Sequence, residues 1–292
     1  MNKKKVIESV FKHCVDDKTL KLISENASSF SFSGGTKHIS VLFSDIISFT
    51  NYLIKQPIEE TVYNLSEYFT EMSDVIRRYG GFVDKFVRDE IMAEFGTPYP
   101  YPDHAERACL AALEMVRSND LLWEKWKWGF HINIGINTGD MFVGNIGSRD
   151  VFDYTAIGEG VNFGLRLNGI NKVYRTANNI IISEFTKNEL SENLVTRELD
   201  TINVKGTSKP VTIFELVSEK DIVVYPEDFL AHYTEGLANY KKLELDEAIK
   251  EFKRAIVLYE DDISKMYIKR CNHFKKYPPP PDWGGVFTIS IR

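Results

Sequence analysis

Between residues 39 and 217 strand-like and helix-like patterns alternate, yet neighbouring strands repeatedly follow one another across a tight turn. That ordering favours an α+β sandwich of the ferredoxin-like kind over a doubly wound sheet, in which crossover helices separate the strands. Residues 39–44 form a first apolar strand. A helix over 59–78 follows, with Val62, Leu65, Phe69, Met72 and Ile76 on its expected buried side. Gly80-Gly81 ends it, and 82–87 and 91–95 then make two strands. A second helix spans 103–118, capped by Asp103 with Glu106 in the first turn. Strands at 131–137 and 141–146 are expected to break at Thr138-Gly139-Asp140. A short helix at 159–168 and strands near 180–182, 198–204 and 211–216 complete a unit set at 38–217.

The flanks differ in pattern. Residues 1–25 hold a helical segment with Val6, Val10 and Cys14 on one stripe, suited to dimerisation or signal transduction, and 26–37 read as a Ser/Gly linker. Beyond 217, Tyr233, Leu237 and Tyr240 make one stripe, and Ala248, Ile249, Phe252, Ala255 and Ile256 a second. This C-terminal helical hairpin, within 222–277, resembles one tetratricopeptide repeat. A single repeat cannot bury both faces, so it must dock on the main unit or on a partner. Residues 278–292 form a Pro-rich tail, stiff and extended at first, with room for a final strand.

Bulk properties narrow the function. A net charge of -6 in 292 residues argues against nucleic-acid binding, which needs a basic face. Three widely spaced cysteines, Cys14, Cys109 and Cys271, give neither a disulfide framework nor a zinc spacing, which suits a reducing cytoplasm. No apolar run reaches membrane-spanning length and the start lacks a signal-peptide core. The expectation is a cytoplasmic chain, or the cytoplasmic portion of a larger sensor.

Two acidic strand ends carry the chemistry. Val41-Leu42-Phe43-Ser44-Asp45-Ile46 and Lys85-Phe86-Val87-Arg88-Asp89-Glu90 each deliver an Asp out of an apolar run. A carboxylate there is costly without a positive partner. Two brought together would suit hard divalent cations, and magnesium-bound phosphate is a common cargo; taken singly, each also reads as a turn aspartate facing water. Asn162 and Arg166 lie one helical turn apart, and an Arg fork matches phosphate oxygens; taken alone, the pair reads as an exposed Arg and a helix-face Asn. Lys205, before a glycine turn, reads alone as a surface lysine.

The ordered set FSDIISFT, GGFVDKFVRDEIMAEFG, INTGDMFVGNIGS, DYTAIGEGVNFGLRL and NVKGTSKPVTIFEL resembles the class III nucleotidyl cyclases across residues 39–217. The resemblance implies a phosphorus–oxygen lyase that makes 3′,5′-cyclic AMP and pyrophosphate from ATP. It implies that Asp45, Asp89 and the Ile46 carbonyl hold two Mg2+ or Mn2+ ions, one acidifying the ribose 3′-hydroxyl and one neutralising the triphosphate. Arg166 would stabilise charge growing on the α-phosphate, Asn162 would orient the ribose and Lys205 would grip the terminal phosphates. Lys85 and Thr155 occupy the purine-reading positions, a pair resembling the adenylate-specific subgroup that often responds to bicarbonate. The metal aspartates and the remaining groups come from different subunits in such enzymes, so a head-to-tail C2 homodimer is expected.

Four positions depart from the family pattern: Ser48 and Arg88 stand where Gly is common, Glu94 where an apolar residue is usual, and Gly164 where Ala is common, which should loosen its helix. Asn133 occupies a place where some relatives carry a phosphate-binding Arg. Two rival readings are a diguanylate cyclase, whose Gly-Gly-Asp/Glu-Glu-Phe signature is missing, and a nucleotide-binding module silenced by Arg88 and Ser48. Identifying the product made from ATP or GTP separates all three.

Overall fold

A computed structural model describes residues 34–126, 131–148, 150–203, 209–280 and 283–288. The expected N-terminal helix and Lys205 lie outside these residues. Two long antiparallel strands form the centre: β1 (Gly35–Ile46) and β4 (Ile132–Gly147), in register from Gly35 opposite Val143 to Ile46 opposite Ile132. β1 therefore begins inside the segment expected to be linker. The expected break in β4 does not occur. Thr138, Gly139 and Asp140 pair with Ser40, Ile39 and His38, and the Thr138 hydroxyl lies 2.7 Å from Ser40 Oγ. The ladder overrides a locally turn-like triplet.

Around this pair lie β2 (Phe82–Val87), β3 (Glu90–Phe95), β5 (Phe152–Ile157), β6 (Ile180–Ser183), β7 (Leu194–Asn203), β8 (Val211–Glu219) and β9 (Val286–Thr288). Among the described residues the sheet runs β2-β3-β1-β4-β6-β8-β7-β9, with β5 paired to the end of β4. The helices are α1 (Phe49–Lys55), α2 (Ile58–Arg78), α3 (His104–Trp126), α4 (Glu159–Tyr174), the single turn α5 (Glu184–Lys187), α6 (Phe229–Lys241), α7 (Leu245–Leu258) and α8 (Asp262–Lys276). The α+β class stands. α3 and α4 run longer than the sequence pattern indicates, and α1, α5 and β5 are additional. Among the described residues no helix is long and apolar enough to cross a membrane.

Strand alternation sorts the core into two faces. Leu42, Ile134 and Ile136 pack with Met72 and Ile76 of α2 and Ala108 and Ala112 of α3. The inward line of α2 begins with Thr61, Asn64 and Tyr68, so Val62, expected inside, is 55% exposed. On the opposite face α4 lies directly on the sheet backbone. A Cβ on Gly135 would come within 2.3 Å of the Asn168 nitrogen, and one on Gly164 within 2.9 Å of Val41 Cγ2. Gly164 is thus demanded by close approach, which offsets its helix-propensity cost of about 1 kcal/mol.

The C-terminal extension holds the expected helical hairpin, α6 and α7, with α8 added to it, docked on the α4 face of β7 and β8. Its anchor is Arg197 on β7. The buried guanidinium meets Glu215 at 2.7 Å and Asp261, which caps α8, at 3.0 Å, and lies 4.7 Å from the centre of the Tyr233 ring. Arg270 of α8 reciprocates by reaching Asp200 on β7 at 2.5 Å, where Tyr174 of α4 also donates its hydroxyl at 2.7 Å.

One core position is out of character. Glu94 of β3 is fully buried, and neither carboxyl oxygen meets a hydrogen-bond partner. Burial, compounded by the charge of Asp84, pushes its pKa up to about 8.

Two predictions follow from this packing. Arg197→Ala strands two buried carboxylates and should cost about 3–5 kcal/mol in denaturant unfolding, whereas breaking the exposed pair Arg117–Glu219 (2.8 Å) should cost at most about 1 kcal/mol. Equal losses would refute the anchoring role. For Glu94 the folded state keeps a proton that the unfolded chain releases, so stability should fall as pH rises from the ordinary Glu range through about 8. The slope should approach about 1.4 kcal/mol per pH unit. Glu94→Gln should flatten that limb in unfolding midpoints taken from pH 5 to 9; a variant that keeps the wild-type slope would exclude Glu94 as its source.

Candidate active site

The two acidic strand ends meet. β1 ends with Asp45 and Ile46, the β2–β3 turn carries Asp89, and the Ile46 N–H donates to Asp89 Oδ2 at 3.3 Å. The next amide, Ile47 N–H, points the opposite way to the His131 carbonyl at 2.7 Å, so the Ile46 carbonyl, anti to it in the same planar peptide, lies on the Asp89 side of the strand. Asp45 is held from below. Asn133, its cross-strand neighbour on β4, donates from Nδ2 to Asp45 Oδ1 at 3.0 Å. Asn168 of α4, with its amide oriented to satisfy its neighbours, donates to the same oxygen and to the Asn133 carbonyl, both at 3.1 Å. Lys172, one turn further along α4, lies 3.5 Å from Asp45 Oδ2. Asn133 is therefore a buried brace for Asp45, at a position where some relatives carry a phosphate-binding Arg.

Negative charge accumulates here. Burial raises the pKa of Asp89 and the Asp45 charge adds to the rise, against the hydrogen bond from Ile46. Glu90 is pushed up to about 7, first by burial and then by Asp45 and Asp89. A group of oxygen donors with more negative charge than its surroundings neutralise fits a hard divalent cation. The backbone beside both aspartates is strained. Ser48 and Arg88 each have φ of 61°, the left-handed region that favours glycine. These are the two positions where the sequence departs from glycine, and Arg88 leads the two-residue β2–β3 turn.

A second cluster forms at β2 and β5. Thr155 donates its hydroxyl to Asp84 Oδ2, and Asp84 is fully buried. Lys85 lies 3.5 Å from Asp84 and 3.5 Å from Asp153, with its side chain 33% exposed. Burial raises the Asp84 pKa, opposed by the Thr155 hydrogen bond and the Lys85 charge. Lys85 and Thr155 are thus brought together through an aspartate that pattern reading passed over. No local signal marks it, because Asp84 is the extra residue where the β2–β3 register shifts between Val83 and Lys85.

Asn162 and Arg166 stand one turn apart on α4, Asn162 exposed and Arg166 half-buried. They do not join Asp45, whose α4 contacts Asn168 and Lys172 lie further along and around the helix. The elements that carry these groups, with the end of β4, also hold large apolar side chains in the open: Phe86 and Val87 on β2, Phe142 on β4, Phe152 and Ile157 on β5 and Leu165 on α4 are 40–52% exposed. Asn168 and Lys172 were also missed, because nothing local marks a helix residue that braces a distant strand end.

Residues 33–218 match the family described as the adenylate and guanylate cyclase catalytic domain. The chain is 31% identical over 281 residues to the terminal-differentiation-specific adenylate cyclase of Dictyostelium discoideum, a match covering 91% of this chain and 13% of that protein. It is 31% identical over 185 residues to adenylate cyclase 1 of Rhizobium meliloti (strain 1021), covering 62% of this chain and 28% of that protein. The chain thus spans a small part of either relative. Two solved structures are similar. The adenylyl cyclase CyaB from P. aeruginosa is 33% identical with a TM-score of 0.60, covering 65% of this chain and 100% of that one. The guanylyl cyclase Cya2 is 31% identical with a TM-score of 0.56, covering 65% and 97%. With the acidic strand ends, the sheet and these likenesses in agreement, the chain belongs to the adenylate and guanylate cyclase catalytic domain family.

Proposed function

We propose that this chain is an adenylate cyclase that converts ATP to 3′,5′-cyclic AMP and pyrophosphate at sites shared by two copies of itself. The observation that carries this reading is the meeting of Asp45 and Asp89 at one pole, while Lys85, Thr155, Asn162 and Arg166 stand apart from it on elements that also expose large apolar side chains. A second copy, laid head to tail, would cover those side chains and set the second group against the first.

Two Mg2+ or Mn2+ ions, when bound, would supply the Lewis acidity and charge neutralisation of a two-metal site. Asp45, braced by Asn133 and Asn168, and Asp89, tied to Ile46, would hold them together with the Ile46 carbonyl. Arg166 would stabilise charge growing on the α-phosphate and Asn162 would fix the ribose. Lys205, outside the described residues, would bind the terminal phosphates.

Preference for adenine rests on a proton count. A threonine hydroxyl has one hydrogen and two lone pairs. Asp84 takes the hydrogen of Thr155, so only lone pairs face the base. They accept from the adenine amine and repel the guanine carbonyl oxygen. Lys85, held between Asp84 and Asp153, supplies a donor for N1.

Purified chain with Mn2+ and ATP should release cyclic AMP. Asp45→Ala and Arg166→Ala should each lower turnover by about 10²–10³-fold, and mixing the two variants should restore one working site per mixed dimer. Tight ATP binding without product, or full turnover by a monomer in sedimentation, would reject the proposal; the same assay with and without bicarbonate at fixed pH tests that response. Asp84→Asn should let the Thr155 hydroxyl either donate or accept. The ratio of kcat/KM for ATP over GTP should then fall about 5–10-fold, the worth of one hydrogen bond. An unchanged ratio would remove Asp84 from base selection.

A further inference from the structure

At the far end of β1 from Asp45, two imidazoles and a carboxylate converge without a role in the proposed reaction. His38 lies on β1, His104 opens α3 and Glu189 follows α5. His38 Nε2 is 2.6 Å from Glu189 Oε1, and His104 Nε2 is 3.9 Å from Glu189 Oε2. One ligand atom from each residue lies within 4.8 Å of the others.

The state of each ring can be read from its other nitrogen. A chain of hydroxyls ends on a backbone carbonyl: Thr186 Oγ1 donates to the Ile136 carbonyl (3.4 Å) and receives from Thr138 Oγ1 (3.1 Å). Thr138 has then spent its hydrogen, so Ser40 must donate to it across 2.7 Å. Ser40 Oγ is left to accept, and the hydrogen on its 2.9 Å contact with His104 Nδ1 belongs to the histidine. The neutral His104 ring, which burial favours by lowering its pKa, therefore points a lone pair from Nε2 at a carboxylate oxygen. Two acceptors face each other with nothing positive between them. His38 Nδ1 donates to Asp140 Oδ1 at 2.8 Å, which leaves its Nε2 as the atom facing Glu189. Without a metal that nitrogen carries a proton, which is why its two carboxylate partners raise the His38 pKa.

We propose that His38 Nε2, His104 Nε2 and Glu189 bind a borderline transition-metal dication of the Zn2+ class, at a site separate from the nucleotide pole. Each histidine has the outer partner on Nδ1 that metal-binding imidazoles use to fix tautomer and orientation: Asp140 for His38 and Ser40 for His104. Tetrahedral ligands about 2.0–2.1 Å from zinc sit about 3.3 Å apart, so the present spacings close with small side-chain movements. Three protein ligands leave a fourth position open. His38 and Asp45 stand seven positions apart on β1, about 23 Å along a strand, so the two sites do not share ligands. The metal would tie α3 and the turn after α5 to the central β1–β4 pair and release the His38 proton on binding.

Co2+ titrated into the full chain under excess Mg2+ should produce the visible absorption bands of a low-coordinate, nitrogen-ligated ion, reversed by Zn2+. His38→Ala, at an exposed position, and Glu189→Gln should each weaken cobalt binding at least about tenfold. Both should leave the Mg2+-dependent turnover unchanged, and Asp45→Asn should keep the bands. Absence of bands at millimolar cobalt, equal affinity in His38→Ala, or loss of the bands in Asp45→Asn would each overturn the proposal.

Discussion

The antiparallel ladder between β1 and β4 is the constraint on which the rest of the molecule depends. It is continuous from Gly35–Val143 to Ile46–Ile132, so it fixes both ends of β1 against one partner. At one end Asn133 sits opposite Asp45 and donates to it; at the other Asp140 sits opposite His38 and accepts from it. A slip of one residue would reverse every side chain on β1 and dissolve both arrangements together with the core. The two faces of the same ladder also decide where the helices go. Leu42 and its neighbours take α2 and α3, and Gly135 lets α4 approach closely enough for Asn168 to reach Asp45.

Buried charge is used in two different ways. Around Arg197 every charged group has partners: Glu215 and Asp261 share the guanidinium, Tyr225 donates to Glu215, and Ser264 donates to Asp261. Such a network specifies one docking geometry for α6–α8, because any other leaves an ion buried without a partner. Asp84 and Glu94 are the opposite case. Both Glu94 oxygens and Asp84 Oδ1 are buried without a hydrogen bond, and the proton Glu94 keeps offsets part of that cost. That arrangement costs stability. It lies one residue from Lys85 and on the hydrogen bond from Thr155, the side of the molecule where the proposed base recognition happens.

Much of this was legible in the sequence, and the gaps have physical causes. Asp45 and Asp89 stand out because each interrupts an apolar strand, and α2 and β3 follow from strong periodicity. Thr138-Gly139-Asp140 reads as a turn, yet twelve paired positions on β1 hold it extended. α8 escapes notice because its inward residues Ile263, Tyr267 and Cys271 are diluted by lysines, an arginine and a histidine. The braces Asn133, Asn168 and Lys172 belong to two elements that meet Asp45 only after folding. His38, His104 and Glu189 are similarly dispersed, and no spacing rule joins residues from a strand, a helix start and a turn.

The backbone at the acidic pole ties these threads together. Left-handed torsions cost a residue with a Cβ about 1–2 kcal/mol, and this chain accepts that cost at both Ser48 and Arg88. Neither can relax alone. Ile47 N–H donates to the His131 carbonyl at 2.7 Å, so the chain leaves β1 in a fixed direction just before Ser48, which must then turn it into α1. Arg88 is fixed on both sides, since Val87 pairs with Glu90 across the β2–β3 turn and Ile46 N–H holds Asp89. Strain of this kind persists only where surrounding bonds over-determine the path. Here the same bonds hold Asp45 and Asp89 at one pole despite their mutual repulsion, so the strained turns and the crowded carboxylates are two consequences of one set of hydrogen bonds.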